Sequence, residues 1–217
     1  MTVLTIIRRL LTSGKAVVAG LPDDVEQKNP IDFFAGWFAD ADRSGLMLPE
    51  AMTLATATKN AAPSARMVLL KSFDQNGFVF YSNFGSQKAK ELEENPLAAL
   101  VFHWPALQRQ VRVEGSVEKI SESESSIYFQ SRPRGSRIGA WASKQSSKLK
   151  NRNELEERER FYKEKFKGQE IPLPHFWGGY RLNPERIEFW QGKMNRLHDR
   201  VLFTKDDKEW RAERLYP

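Results

Sequence analysis

Four stretches of the chain set basic and hydroxyl side chains beside aromatic or amide ones: residues 66–71, 86–88, 128–146 and 190–200. Such mixtures suit the capture of an anion, because cations and N–H or O–H donors take up its charge while rings cover flat apolar area. In the third stretch Tyr128 and Arg132 are four residues apart on a helix, Pro133 stops that helix, and Ser136 stands at the start of the next. Unpaired backbone N–H groups there favour negative charge, so the three make a phosphate cradle. Taken alone they read first as a surface arginine at a helix C-terminus and an ordinary capping serine. In the first stretch, strand alternation sends Arg66, Val68 and Leu70 to one face and Met67, Leu69 and Lys71 to the other. Two cations then flank an apolar strand, a pattern that barrel-end cations snorkelling to water also satisfy. The fourth stretch brackets a strand-to-strand loop with Trp190, Arg196, His198 and Arg200, and loops on rigid scaffolds are where ligand groups collect. If that loop is extended, Arg196 and His198 point to the same side; the plainer reading of His198 is a structural histidine hydrogen-bonded beside Asp199.

Absent residues and motifs narrow the chemistry. The 217 residues hold no cysteine and three histidines, His103, His175 and His198, without HExxH-type spacing, which removes thiolate chemistry and leaves no metal site expected. No GxGxxG, GxxxxGK[ST] or GxSxG motif occurs, so Rossmann binding, P-loop hydrolysis and α/β-hydrolase catalysis lack their anchors. A net charge of +6 and a pI near 9.5 call for an anionic partner: a nucleic acid, an anionic membrane or a small phosphorylated ligand. No apolar run is long enough to span a bilayer, and Arg8 and Arg9 interrupt the apolar start Val3–Leu11. The expectation is a cytoplasmic protein without a membrane partner.

The elements that must hold these residues predict an α+β fold. Residues 1–28 read as a mobile arm, and 29–217 as a single domain. Asn29-Pro30 opens a helix whose Phe33, Phe34, Trp37, Phe38 and Ala41 recur at helical spacing and which ends before Gly45. From Met52 the period is two: strands over 52–57, 64–71 and 78–82, parted by turns at 59–63 and at Asn76-Gly77, predict a three-stranded antiparallel meander. A short helix over 86–94 stops at Asn95-Pro96, strands over 97–104 and 109–120 follow, and helices are predicted over 121–131 and 135–143. The charged helix over 148–167 interleaves acids and bases as a solvated face does, and carries no assigned chemistry. Strand patterns return over 175–182, 186–191, 200–204 and 210–215. So many short strands point to a small antiparallel barrel with peripheral helices rather than a doubly wound sheet.

Longer motifs carry a resemblance. Arg66-Met67-Val68-Leu69-Leu70-Lys71, Arg109-Gln110-Val111-Arg112-Val113-Glu114-Gly115, Ser131-Arg132-Pro133, Ile138-Gly139-Ala140, Ser143-Lys144-Gln145-Ser146-Ser147, Phe176-Trp177-Gly178-Gly179, Phe189-Trp190-Gln191-Gly192, Asn195-Arg196-Leu197-His198-Asp199-Arg200 and the closing Arg214-Leu215-Tyr216-Pro217 closely resemble the pyridoxine/pyridoxamine 5′-phosphate oxidases, in one order from about Asn29 to the C-terminus. The resemblance implies an FMN-binding split β-barrel and a homodimer with flavin sites at the subunit interface. It assigns FMN contacts to Arg66, Met67, Val68, Leu69, Leu70, Lys71, Tyr81, Ser82, Lys88, Gln110, Gln145, Ser146, Trp190 and Arg200. It assigns substrate contacts to Lys71, Tyr128, Arg132 and Ser136 for the phosphate, and to Arg196, Leu197 and His198 near the pyridine ring, with Arg196 and His198 orienting the reacting carbon. The implied reaction oxidises pyridoxamine 5′-phosphate and pyridoxine 5′-phosphate to pyridoxal 5′-phosphate by net hydride transfer from C4′ to flavin N5, the amine route passing through an imine that water hydrolyses, with dioxygen reoxidising the flavin to give hydrogen peroxide.

The chain departs from the family pattern at Gln87, where an arginine is usual, at Leu48, where an acid is common, and in Arg8-Arg9-Leu10-Leu11, which lacks the arm tyrosine. Two other functions compete: a split-barrel flavin reductase acting on a different substrate, and a single-stranded nucleic-acid surface over Tyr128–Arg152.

Overall fold

The computed structural model describes residues 20–207 and 209–217. Helix α1 (Pro30–Arg43) starts as the sequence predicts: the Asn29 side chain accepts from the N–H groups of Ile31 and Asp32 at 2.8 and 3.2 Å, and Pro30 occupies the first turn, where no N–H is needed. Ile31, Phe34, Trp37 and Ala41 form its buried face, and Phe34 meets Phe73 and Phe78 edge-on, each at 4.9 Å. Removing a side chain such as Phe34 from water is worth about 1.5–3 kcal/mol, so packing rather than propensity holds α1 in place.

Among the described residues, nine strands form one antiparallel sheet: β1 (Ala51–Ala57), β2 (Pro63–Leu69), β3 (Ser72–Asp74), β4 (Gly77–Asn83), β5 (Leu97–Trp104), β6 (Arg109–Lys119), β7 (Trp177–Gln191), β8 (Asp199–Asp206) and β9 (Glu209–Leu215). Helix α2 (Gln87–Glu94) lies between β4 and β5 in the chain, and α3 (Glu122–Ser131), α4 (Arg134–Ala142) and α5 (Arg152–Lys165) between β6 and β7. The order β2-β1-β5-β6-β7-β4-β3 differs from the predicted meander. The β1–β2 hairpin forms, but β4 crosses to β7, and the short β3 takes the other edge of β4 through Phe73 opposite Phe78. Strand β2 is therefore an edge, paired with β1 alone.

Strand β7 explains why the barrel splits. Its first part, Trp177 to Leu182, pairs with β4; its last part, Arg186 to Gln191, pairs with β8; β6 runs along the opposite edge from Lys119 to Arg109. The sequence reading broke this strand in two around Pro184, which has no N–H for a ladder. The chain instead stays extended and absorbs the proline with a register shift between Glu114 and Gly115. A Cβ on Gly115 would stand 2.0 Å from the Asn183 carbonyl oxygen, so no other residue fits that close approach without backbone movement.

The main core gathers α1 and the inner faces of β1 and β4–β8. Residues 20–28, placed by the sequence reading in the arm, pack onto it: Leu21 and Val25 are buried, and Arg214 bonds to Glu26 and to the Pro22 carbonyl. The rest of that arm, including Arg8 and Arg9, lies outside the described residues. A second cluster, Phe129, Ile138, Phe166, Ile171 and Trp177, joins α3, α4 and the start of β7. Helix α5 buries no residue, but its Arg158 donates to the Ala142 carbonyl and so caps α4. Among the described residues no helix is long and apolar enough to cross a membrane.

Candidate active site

A cleft of ≈ 870 Å³ opens between β2, β4, α2, α3, α4 and the segment 143–146, a size ordinary for a small-molecule site. Its lining unites Arg66, Met67, Val68, Leu69, Lys71, Tyr81, Ser82, Lys88, Tyr128, Arg132, Ser136, Gln145 and Ser146 from segments distant in sequence. Both faces of β2 contribute because β2 is an edge strand, and the cleft wraps its free side. That edge also offers backbone N–H and C=O groups to a ligand. Leu70 is the exception in the first motif: strand β2 ends at Leu69, and Leu70 turns into the core with its N–H bonded to the Glu50 carbonyl.

One end of the cleft is a cation site. Arg66 donates to the hydroxyls of Thr56 and Ser64 and to Glu91, whose Oε2 lies 3.0 Å from Arg66 Nη2. The hairpin register that sets Thr56 opposite Ser64 brings these hydroxyls together. Burial pushes the Glu91 carboxyl up, but bonds from Thr56, Ser64, Gln87 and Arg66 outweigh it and hold the group at about 2. Lys88, from the first turn of α2, is 6% exposed; its Nζ meets the hydroxyls of Ser82 and Ser86 at 3.1 and 3.2 Å and Gln145 Oε1 at 3.5 Å. No carboxylate pairs with it among the described residues. Burial, and then the charge of Arg66, push its pKa below the ordinary lysine value.

The other end is aromatic around a third cation, Arg132. Tyr81 stacks on Tyr128 at 3.9 Å and on Trp177 at 5.3 Å. Burial raises the pKa of both phenols, so each remains a neutral donor at neutral pH. The Arg132 guanidinium carbon lies 4.7 Å from the Trp177 ring centroid, and its Nη1 is buried without a hydrogen-bond partner. Burial pushes the arginine's pKa down, which marks a charge held at a desolvation cost. Ser136 is exposed in the first turn of α4, beside the N–H groups that turn leaves free.

The remaining assigned residues, Gln110, Trp190, Arg196, Leu197, His198 and Arg200, do not line this cleft. Gln110, Trp190 and Arg200 lie directly opposite one another on β6, β7 and β8, so their side chains share one face. Arg200 is held by Glu188 Oε1 at 2.8 Å and the Tyr216 carbonyl at 2.9 Å. The loop to β8 is not extended: it turns through a 3₁₀ segment, Met194–Arg196, with Asn195 and Arg196 at φ of 57° and 62°. The alternation that would aim Arg196 and His198 together therefore does not apply; Arg196 and Leu197 are exposed. His198 Nδ1 accepts from the Lys193 N–H at 3.2 Å and its ring packs on Trp190 at 4.5 Å, while Asp199, the partner first suggested for it, accepts instead from the Leu21 N–H.

Sequence reasoning passed over Thr56, Ser64, Glu91 and Trp177. Glu91 had a signal, since it is one helical turn from both Gln87 and Lys88; the two hydroxyls become neighbours of Arg66 only through the hairpin register.

The family model described as pyridoxamine 5′-phosphate oxidase matches residues 38–158, and that of the pyridoxine 5′-phosphate oxidase C-terminal dimerisation region matches 177–217. The chain is 54% identical to the pyridoxine/pyridoxamine 5′-phosphate oxidase of Psychromonas ingrahamii and 52% identical to that of Colwellia psychrerythraea, each over 100% of both chains. The enzyme of the same name from Rubrobacter xylanophilus is 55% identical over 92% of each. Among solved structures, PhzG from Burkholderia lata 383 in complex with tetrahydrophenazine-1-carboxylic acid superposes with a TM-score of 0.86 at 29% identity, over 92% of this chain and 98% of that one. A pyridoxamine 5′-phosphate oxidase-related, FMN-binding protein from Nostoc punctiforme shares the fold, with a TM-score of 0.69 at 20% identity over 88% and 99%. With both family models matched and more than half of its residues shared end to end with named enzymes, the chain belongs to the pyridoxine/pyridoxamine 5′-phosphate oxidase family of FMN-dependent oxidoreductases, which form pyridoxal 5′-phosphate.

Proposed function

We propose that this chain, acting in the cytoplasm, oxidises pyridoxamine 5′-phosphate and pyridoxine 5′-phosphate in the cleft, with Arg66 and Lys88 taking the FMN phosphate and Arg132, Tyr128, Ser136 and Lys71 the substrate phosphate. The observation that carries this reading is Lys88: an ammonium 6% exposed, bonded to two hydroxyls and an amide oxygen and to no carboxylate, is completed by an anion. FMN fits the donor set, with cations for its phosphate, the free edge of β2 and the Gln145 amide for its polar rim, and aromatic side chains for its ring. When bound, FMN takes up two electrons with hydride and passes them to dioxygen, which leaves as hydrogen peroxide. The protein's part is placement. Arg132 and the neutral phenols of Tyr128 and Tyr81 anchor one end of the substrate, fixing where its C4′ lies, and the stacked wall of Tyr81 and Trp177 excludes water beside it.

The same reading requires a second copy of the chain. Trp177 and Trp190 lie at opposite ends of β7, about 40 Å apart along the strand at some 3.3 Å per residue, a contour longer than a flavin mononucleotide. Gln110, Trp190 and Arg200 therefore reach a flavin only from a partner, and they fall in or beside the matched dimerisation region. Arg196 and His198 come with them, as residues that orient the substrate rather than as obligatory bases.

The alternative of a different flavin-linked substrate has 29% identity to PhzG behind it, against more than half for the vitamin-phosphate oxidases. The nucleic-acid surface over Tyr128–Arg152 keeps Lys144, Lys148, Lys150 and Arg152 exposed, but the aromatic rings it would need for stacking bases are engaged within the protein: Tyr128 stacks on Tyr81, and Trp141 donates to the Pro172 carbonyl. Reconstitution with FMN followed by assay of both vitamin phosphates, with pyridoxal phosphate and peroxide measured in the same vessel, tests the proposal. Equal amounts of the two products in air support it; a protein that stays colourless, or yields no pyridoxal phosphate, refutes it.

A further inference from the structure

We infer that Glu91 is a positioning residue for the cofactor phosphate: with Thr56, Ser64 and Gln87 it fixes the Arg66 guanidinium at the cation end of the cleft. The inference rests on the reading that Arg66 meets the FMN phosphate. Its grounds are the density and geometry of the bonds. Glu91 is 5% exposed, and its Oε2 accepts from Thr56 at 2.5 Å, Ser64 at 2.7 Å and Arg66 at 3.0 Å, while Oε1 accepts from Gln87 at 2.8 Å. A buried carboxylate whose oxygens are both engaged by protein donors, and which would repel an anion, acts through Arg66 rather than on a ligand. Arg66, in turn, spends Nη2 on Ser64 and Glu91 and part of Nη1 on Thr56; the Leu54 carbonyl, 3.5 Å from Nη1, is a weak second acceptor. Its Nε–H has no protein acceptor among the described residues, which leaves that donor for a ligand in the cleft that Arg66 lines, while its charge is shared with Glu91.

Gln87 gives the arrangement its particular form. An arginine at this position would bring a second cation one helical turn from Glu91 and compete with Arg66 for it. The neutral amide binds Oε1 instead and leaves Oε2 to Arg66, Thr56 and Ser64. Gln87 thus adds a bond to Glu91 without adding a cation that competes with Arg66.

Two physical effects of Glu91 oppose each other, and their signs separate the inference from its rival. By charge alone Glu91 repels a phosphate, so removing it tightens FMN; by positioning, its loss frees Arg66 and weakens FMN. The experiment titrates full-length apoprotein with FMN and with riboflavin, which lacks the phosphate, following flavin fluorescence. For Glu91→Gln the FMN Kd is expected to rise about tenfold while the riboflavin Kd stays within about twofold. Ser64→Ala, a smaller deletion that removes one bond to each partner, is expected to weaken FMN about threefold in the same selective way, and it decides the matter should Glu91→Gln not fold. FMN binding that is unchanged or tighter, or a riboflavin Kd that rises in step with the FMN Kd, overturns the inference. Arg66→Ala is the control: if it leaves the preference for FMN over riboflavin intact, the assignment of Arg66 to the phosphate fails; if it abolishes that preference while Glu91→Gln and Ser64→Ala do not, only the positioning role fails.

Discussion

At Trp177 strand β7 borders a cleft in which the buried Lys88 and the half-buried Arg132 have no carboxylate partner among the described residues, whereas at Trp190, thirteen residues further along, Arg200 and Arg112 are already paired. Lys88 and Arg132 stand for the first condition: burial lowers the pKa of each, and neither has a counter-charge among the described residues to offset it. Arg200 stands for the second, clamped by the buried Glu188 and the Tyr216 carbonyl, with Arg112 on the other oxygen of the same carboxylate at 2.9 Å. On the proposed reading the unpaired Lys88 and Arg132, together with the Arg66 that Glu91 holds in place, receive phosphate charge, and the locked Arg200, beside Trp190 and Gln110, belongs to a preformed wall. On that reading one end of β7 is a receptacle and the other a cover that serves the partner's receptacle.

Breaking the receptacle has the largest expected effect. Lys88→Met should raise the FMN Kd by about 100-fold, because a charge-assisted contact in a desolvated site is lost. It should also raise the melting temperature of the apoprotein, since a buried charge is replaced by an apolar chain of similar length. The pH dependence carries the same sign. The folded pKa of Lys88 lies below its ordinary value, 10.5, so the unfolded chain binds more protons just below that pH. Apoprotein stability from this group therefore grows as pH rises through the folded pKa, while FMN affinity declines over the same range as the ammonium is lost. Denaturation and titration of the wild type and Lys88→Met across that range check both, and the variant should lack both trends.

Damage to the cover should cost less. Arg200→Ala is expected to weaken FMN by about 10–30-fold while leaving cleft residues undisturbed, which tryptophan fluorescence and flavin titration report together. Arg132→Ala sharpens the division within the receptacle: KM for pyridoxamine 5′-phosphate should rise about tenfold with flavin content near wild type. Arg196→Ala should raise KM and lower kcat/KM, and His198→Ala should do so by only about twofold, since its ring is already occupied with Trp190 and Lys193. Flavin lost in parallel with activity in either variant would move that residue from substrate to cofactor.

Much of the receptacle was legible in the sequence because its parts are local. The Tyr128–Arg132–Ser136 spacing needs only a helix, a proline and a second helix, and all three residues line the cleft. Lys88 and Ser82 came with the family motifs. What the sequence hid depends on register and topology: Thr56 and Ser64 meet Arg66 through hairpin pairing, β4 leaves the predicted meander because β3 takes its edge, and β7 runs through Pro184 because β6 supplies the register shift. The loop from Lys193 to His198 was misread for a related reason. Alternation holds only for extended backbone, and Asn195 and Arg196 are in the left-handed region.

The most direct test uses a mixed dimer. Lys88→Met and Arg200→Ala chains, each carrying a different affinity tag, are co-expressed and the doubly tagged species isolated. Either variant alone should hold FMN weakly at both sites. In the mixed dimer one site combines both defects, and the other joins an intact cleft to an intact cover, so it should bind one FMN per dimer with wild-type affinity. Flavin stoichiometry near zero in the mixed dimer would contradict the account, since it would mean that each chain builds its flavin site from its own residues.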